Sequence, residues 1–234
     1  MEKKLYITGI LCMCFCVLHA QKMKVQNQPY GDQRLYHFGI TVGMNFQDMI
    51  IDNSGLTTDD GETWYAQIPS YSPGFSVGII ADLYMNQYMS LRTSPSIHFG
   101  DKPFLFKEKN MEEPYKATVR SNYLSLPIDI KFASRRLNNY RPYFLTGLYA
   151  SLDLGRKKGE AILLKPLDYG FEIGLGCDFY LPIVKVCPEI KFCFGLADII
   201  EKNRSDLTDK DLMKYPQAIS KGTSRMIVIT FNFE

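Results

Sequence analysis

The sequence predicts an all-β fold, an eight-stranded antiparallel transmembrane up-and-down β-barrel with short periplasmic turns and long extracellular loops. Three observations predict it. Eight segments alternate apolar and polar residues, which is the period of a strand and not of a helix. Each segment is long enough for the roughly 9–11 residues of a tilted membrane strand, whereas soluble strands average nearer 5–6. The connections between the segments alternate strictly between short and long.

The first twenty residues differ from the rest of the chain. A charged start, MEKK, precedes the apolar run LYITGILCMCFCVL, and Ala20 offers a small residue for cleavage. This pattern is typical of a signal peptide, since a membrane helix needs about 20 apolar residues. We therefore expect a signal peptide at residues 1–20, a periplasmic N-terminal leader at 21–34 and an outer-membrane β-barrel at 35–234.

The first predicted strand illustrates the pattern that all eight share. Between residues 34 and 46, Phe38, Ile40 and Met44 alternate with small or polar residues such as Gly39 and Thr41. A strand period alone does not say whether the apolar face meets a protein core or lipid. The eight predicted strands are residues 34–46, 73–85, 88–99, 122–132, 141–154, 167–180, 183–195 and 224–234.

The polar face of these strands indicates whether the apolar face meets lipid or a protein core. It carries charges together with many glycines and serines, which suit the crowded interior of a small barrel, because eight strands enclose only enough space for side chains. The alternative is a soluble sandwich with a charged outer face, but a sandwich gives no reason for loops sorted by length, whereas a membrane barrel does. The apolar face is therefore predicted to meet lipid. The charges predicted to fill the lumen are Asp82, Arg92, Asp129, Lys131, Asp153, Glu172, Asp178, Lys185, Glu189 and Lys191.

Opposite charges in the lumen are expected to pair. A two-residue turn at 181–182 would place Asp178 opposite Lys185 and Glu172 opposite Lys191. Such cross-strand pairs stabilise by about 0.2–1 kcal/mol each, and more where they are desolvated. We expect a lumen plugged by ion pairs, without a continuous pore.

Catalytic and ligand-binding patterns are weak. His98 lies near the outer end of its strand beside Ser96 and Asp101, where a serine–histidine or histidine–aspartate pair on a lipid-facing edge would modify lipid. A structural histidine is the favoured interpretation, so we predict no enzyme and no catalytic residues.

The remaining composition points to no cofactor. Cys177, Cys187 and Cys193 have no metal-ligand spacing and are interpreted as small buried hydrophobes. The net charge of +2 comes with no separate basic patch and gives no argument for nucleic acid. No small-molecule substrate is evident.

Two predicted outer loops carry candidate contact residues. In the last loop, 196–223, Ser205 is a candidate N-cap for a short helix with Leu207 on its apolar face. The loop is either a partner-docking site or a solvated lid over the barrel mouth. Its candidate partner-contact residues are Arg204, Asp206, Leu207, Asp211, Leu212 and Tyr215. In the first loop, Trp64, Tyr65 and Tyr71 form either an interfacial aromatic belt or a partner contact.

Several stretches together resemble a known family. They are QNQPYGDQRLYHFGITVGMNFQDM, YLSLPIDIKFASRRLNNYRPYFLTG, LKPLDYGFEIGLGCDFYLPIVKVCPEIKFCFGLADII and TSRMIVITFNFE. The chain resembles the PorT family, outer-membrane barrels of the Bacteroidetes linked to the type IX protein secretion system. The resemblance implies an integral outer-membrane component needed for protein export, an accessory, assembly or scaffold subunit rather than the conduit. Outer-membrane lipid and other secretion-system proteins are the implied partners. The alternative is a small outer-membrane barrel that binds or modifies lipid or another surface ligand.

Overall fold

A computed structural model describes residues 25–55, 63–67, 71–108, 115–156, 161–202, 204 and 210–234. The predicted signal peptide lies outside the described residues, as do the first four residues of the predicted leader. Over the described ranges, no helix combines the length and apolar character needed to cross a bilayer.

Twelve strands and three short helical segments form the described structure. The strands are β1 (Tyr36–Asn53), β2 (Trp64–Gln67), β3 (Ser72–Asn86), β4 (Met89–Thr93), β5 (Ser96–Phe99), β6 (Asp101–Glu108), β7 (Tyr115–Arg120), β8 (Tyr123–Ala133), β9 (Tyr140–Asp153), β10 (Leu167–Tyr180), β11 (Lys185–Gly195) and β12 (Ile219–Phe233). The helical segments are 3₁₀ turns at Gly31–Gln33 and Lys210–Met213 and the helix α1 (Lys214–Gln217).

Nine of the strands close into one antiparallel barrel. Their order is β1-β12-β11-β10-β9-β8-β4-β3-β5, with further pairings of β1 with β3 and of β8 with β5. Both β4 and β5 pair with β3 and β8, so they are the two halves of one wall strand, interrupted at 94–95. Pro95 has no N–H for the ladder, although its carbonyl still accepts from the Ile79 amide at 3.0 Å. The barrel therefore has eight strands, and the predicted fold class is confirmed.

The first and last strands meet at a closing seam. There β1 pairs with β12 from Ile40 opposite Phe233 to Asn53 opposite Ile219. Gly43 permits close approach, because a Cβ at that position would lie 2.1 Å from the Ile229 carbonyl oxygen.

All the turns at one end of the barrel are short, which marks that end as periplasmic. The turn between β10 and β11 spans four residues, with the Leu181 amide bonded to the Val184 carbonyl at 3.0 Å. The predicted two-residue turn at 181–182 is therefore wrong, and Tyr180 pairs with Lys185. Because the register moves by two residues, the face of each side chain is unchanged.

The opposite, outer end carries a folded cap. A three-stranded sheet in the order β2-β6-β7 packs with α1 over an apolar core. The long outer connections that the sequence predicts contain this sheet and helix, and β1 and β12 extend past the predicted strand limits to support the cap. The buried core residues are Met49, Trp64, Ala66, Phe104, Phe106, Val119, Ala161, Ile162, Leu164, Ile199, Ile200, Tyr215, Ala218 and Ile219.

Candidate functional site

The two faces of the barrel wall differ sharply in chemistry. On the outside, Phe38 is 72% exposed and Leu148 is 67% exposed. On the inside, Arg92 is 1% exposed and Asp129 is fully buried. Since large apolar side chains cover the whole exterior, the wall is suited to lipid and the charged face lines the lumen. All ten charged residues singled out in the sequence lie in the lumen wall and are buried.

Arg92 spans the lumen. Its Nε donates to Asp82 on the neighbouring strand at 3.0 Å, and its Nη1 donates to Glu189 at 3.3 Å. Since β4 and β11 lie on opposite walls, this second bond crosses the barrel. Its Nη2 reaches Glu234, which follows β12, at 2.6 Å. One guanidinium therefore bonds to carboxylates on β3, on β11 and after β12, because its forked arrangement of donors suits several carboxylates at once.

The periplasmic half of the lumen holds two lysine pairs. Lys131 pairs with Asp178 at 2.8 Å, and Lys185 pairs with Glu234 at 2.6 Å. The predicted pairing of Asp178 with Lys185 is therefore wrong. The longer β10–β11 turn moves Lys185 away from the position opposite Asp178. Lys185 instead pairs with Glu234, which is not among the lumen charges listed from the sequence.

The middle of the lumen is closed by Lys191. Its Nζ lies 2.9 Å from Glu172 on the adjacent strand and 3.3 Å from the Ser94 hydroxyl across the barrel. In the register of β10 and β11, Glu172 lies opposite Cys193. Its ion pair with Lys191 therefore joins diagonal positions of the two strands and not directly opposite ones. Asp129 lies beside Glu172, and within the described structure neither of its carboxylate oxygens has a hydrogen-bond donor.

Towards the outer end of the lumen, neutral polar side chains join the buried charges. Asn45 donates to the Ser76 hydroxyl at 2.9 Å, and that hydroxyl lies 2.7 Å from Nδ1 of His98. His98 is buried and faces the lumen, not lipid, and its serine partner is Ser76 rather than Ser96. The lipid-facing pair that the sequence allowed is therefore absent at this histidine, and Asp101 instead lies within 4.0 Å of Arg120 on the surface.

Three cavities within the lumen are each the size of one or two water molecules. They measure about 30 Å³ beside Asp82 and Lys131, about 10 Å³ beside Arg92 and Lys191, and about 20 Å³ beside His98. A single water needs about 10–15 Å³. Cavities of this size, separated by ion pairs that cross the barrel, leave no width for a hydrated solute at those levels.

The cysteines and acids of the described residues form no metal site. No cluster of three or more histidine, cysteine, aspartate or glutamate side chains is placed to hold an ion in that part of the chain. Cys187 and Cys193 are buried and Cys177 is half-buried, and all three are free thiols. Cys193 donates to Glu172 at 3.5 Å, so it serves the lumen network.

The cap covers the outer mouth of the barrel. Some of the predicted partner-contact residues are buried in the cap or pack against its core, and the others lie outside the described residues. Arg204 is 3% exposed and donates to the Ala161 carbonyl at 3.0 Å. Tyr215 is buried and stacks on Tyr115, with ring centroids 4.3 Å apart. The prediction that these two form a contact surface is wrong, because they build the cap interior. Leu212 also packs against the cap core. Asp206, Leu207 and the side chain of Asp211 lie outside the described residues.

Of the three aromatic residues predicted in the first outer loop, one is buried and two are exposed at the surface. Trp64 is 3% exposed and packs edge-on against Tyr215 at 5.3 Å, so it is neither an interfacial belt residue nor a surface contact. Tyr65 and Tyr71 are about two-fifths exposed and remain available at the surface.

The periplasmic mouth is crossed by the leader. Residues 25–33 lie over the rim, held by Arg136 and Asn139 of the β8–β9 turn. Tyr180 donates its hydroxyl to Asp32 at 2.6 Å. These rim contacts were not foreseen from the sequence, although the run RRLNN in a short turn is an unusually polar and basic signal. At the same rim Arg135 hydrogen-bonds to the Tyr88 hydroxyl, which lowers the pKa of Tyr88 below its ordinary value.

Comparison with known proteins decides the family. A family model described as an outer membrane protein beta-barrel domain matches residues 20–201, which is more than half of the chain. The chain belongs to the outer membrane protein beta-barrel domain family. This family assignment agrees with the closed eight-stranded barrel and places the protein in the outer membrane.

Solved outer-membrane proteins are similar to this member of the family at low identity. OprG from Pseudomonas aeruginosa has 12% identity and a TM-score of 0.47, covering 84% of this chain and 92% of that chain. Neisserial surface protein A has 10% identity and a TM-score of 0.42, covering 84% and 97%. Ail of Yersinia pestis has 11% identity and a TM-score of 0.37, covering 84% and 96%. No curated protein sequence matches the chain.

Proposed function

We propose that this protein is a non-conducting, non-enzymatic outer-membrane component of type IX secretion, acting as an accessory, assembly or scaffold subunit. The observation that carries the non-conducting part is the guanidinium of Arg92, which bridges opposite walls of the lumen. The secretion part rests on the resemblance to the PorT family. With the lumen closed, the cap and the periplasmic rim are the surfaces through which such a subunit acts.

Conductance tests the closed lumen. The purified mature protein, inserted into planar bilayers, should give no stable single-channel steps above the bare-membrane background. An open porin of larger strand number, treated identically, is the positive control. Reproducible steps from the wild-type protein would overturn the proposal that it is not a conduit.

Deletion and complementation test the secretion role. A strain that lacks this protein should retain cargo proteins inside the cell, and the wild-type gene should restore their release. Normal cargo release from the deletion strain would overturn the type IX proposal, whatever the conductance result.

The docking version of the last outer loop needs its own variant. A triple replacement, Asp206→Ala with Leu207→Ala and Asp211→Ala, should fail to restore export while the barrel is present and folded. Lys116→Ala, at an exposed position of the cap sheet, is the matched control and should restore export. Full export from the triple variant would remove this loop as the docking surface.

Lipid modification is not proposed. The histidine that this alternative requires is hydrogen-bonded inside the lumen to Ser76, away from the lipid-facing surface.

A further inference from the structure

A cavity of about 690 Å³ lies at the periplasmic end, between the leader and the barrel. Specific side-chain contacts fix its leader wall, because Asn27 donates to the Tyr180 carbonyl at 3.0 Å and Gln28 donates to the Leu181 carbonyl at 2.9 Å. The volume falls within the range of ligand pockets. The cavity is therefore preformed, and an occupant can enter it without displacing the leader.

The lining of this cavity includes both faces of the barrel wall. Tyr36 and Phe38 are exposed, lipid-facing residues of β1, whereas Lys185 and Glu234 belong to the charged lumen network. These residues meet in one cavity because the register of β1 with β12 begins only at Ile40, while β1 itself begins at Tyr36. An occupant can therefore contact the lipid-facing surface and the polar mouth of the barrel at the same time.

Arg34 is the lining cation that has no carboxylate partner within the described part of the chain. The acids of the lining are already paired, Asp32 with Arg141 at 3.6 Å and Glu234 with Lys185 at 2.6 Å. The charge of Arg34 is thus uncompensated at the edge of the wall. A phosphodiester supplies the oxygen atoms that the forked donors of an arginine bind best.

Apolar side chains line the same cavity beside this guanidinium. Ile183, in the β10–β11 turn, is 95% exposed, and Phe38 stands on the outer face of the wall. A free anion would leave both side chains uncovered, whereas an acyl chain would cover them. Tyr36 lies between Arg34 and Phe38 in the sequence, and tyrosine is typical of the level where lipid headgroups meet acyl chains. The lining therefore favours an amphipathic ligand with a phosphate head.

We propose that this cavity is a binding site for a glycerophospholipid of the periplasmic leaflet. Its phosphate pairs with Arg34, and an acyl chain lies along the wall beside Phe38 and Ile183. The leader remains in place as one wall of the site. This inference stands on the lining of the cavity and does not rest on the secretion role.

Native mass spectrometry of the full mature chain, released from detergent micelles, tests the role of Arg34. The probe is dioleoylphosphatidylglycerol, and the first bound lipid should have an apparent dissociation constant at least threefold higher for Arg34→Ala than for the wild type. Arg135→Ala is the matched control, because this arginine of the same rim contacts Tyr88 and does not line the cavity, and it should bind lipid like the wild type. A smaller effect of Arg34→Ala, or an equal effect of Arg135→Ala, would overturn the proposed site.

Two further probes separate the lipid from its parts. Glycerol 3-phosphate in hundredfold excess should not displace the bound lipid, and dioleoylglycerol, which lacks the phosphate, should bind at least threefold more weakly. Displacement by glycerol 3-phosphate would show a site for free anions, and equal binding of dioleoylglycerol would show that the phosphate is not read; either result would overturn the lipid assignment. Ile183→Ser should weaken the binding of phosphatidylglycerol at least twofold, and a smaller effect would overturn the placement of the acyl chain.

Discussion

Arg92→Met tests whether one buried cation holds the lumen together. Methionine keeps much of the aliphatic length of arginine but removes every donor that reaches Asp82, Glu189 and Glu234. The barrel wall itself is untouched, so the change isolates the network from the strand pairing.

The three carboxylates that accept from Arg92 do not keep the same number of hydrogen-bond donors after the substitution. Glu234 keeps its pair with Lys185, and Glu189 keeps the hydroxyl of Tyr143 at 2.6 Å. Asp82, whose described side-chain donor is Arg92, is left buried and uncompensated. The loss is therefore that of about one broken buried pair, about 3–5 kcal/mol in the free energy of unfolding, rather than three times that figure.

Equilibrium unfolding by urea in detergent micelles measures this loss. Far-ultraviolet circular dichroism follows the barrel, while Trp64, the single tryptophan of the sequence, reports on the cap. Combining Arg92→Met with Asp82→Asn should recover at least half of the lost stability, because the orphaned charge is then removed. An Arg92→Met protein within about 0.5 kcal/mol of the wild type, the range of ordinary surface changes, would refute the reasoning.

Four further substitutions probe the lumen, the cap and the seam by the same unfolding measurement or by gel mobility. Asp129→Asn should not lower the unfolding free energy, because it removes a buried carboxylate for which no described donor is present, whereas Asp178→Asn should cost about 3–5 kcal/mol by stranding its lysine; equal losses would contradict this. Tyr215→Ala should shift the emission of Trp64 to the red at lower urea while the dichroism of the barrel is retained, and a coincident shift of both signals would show that cap and barrel unfold as one. Gly43→Val should prevent formation of the compact unboiled form on gels, because its Cβ would collide with the partner strand; a normal folded band would contradict the close approach.

The sequence specified the wall because the wall obeys a local rule. Alternation with period two fixed which face each residue occupies, and a two-residue error in the β10–β11 register left that assignment intact. Glu172 and Lys191 therefore still meet, on a diagonal instead of directly opposite. Asp178 and Lys185 do not, because each finds a nearer partner in the closed barrel.

The position of Glu234 in the lumen and the core of the cap depend on long-range contacts, which no local sequence pattern indicates. Glu234 enters the lumen because closure of β1 on β12 brings the end of β12 beside Arg92. Phe104 and Phe106 alternate like wall residues, yet they point into the cap, since β6 leaves the barrel and pairs with β2. The predicted outer loops are polar on average, so their composition does not reveal the few apolar residues that form the core of the cap.

The closed lumen moves the question of function to the two ends of the barrel. A conduit would need its charges on the walls around an open axis, whereas here Arg92 joins opposite walls across it. The ends differ in kind, because the cap is held by an apolar core while the leader is held by hydrogen bonds to its main chain and to its side chains. Burial of apolar surface stabilises the cap in proportion to its area, whereas each hydrogen bond at the exposed rim contributes only about 0.5–1.5 kcal/mol net. The two ends are therefore held by different forces, the outer end by apolar burial and the periplasmic end by polar contacts with the leader.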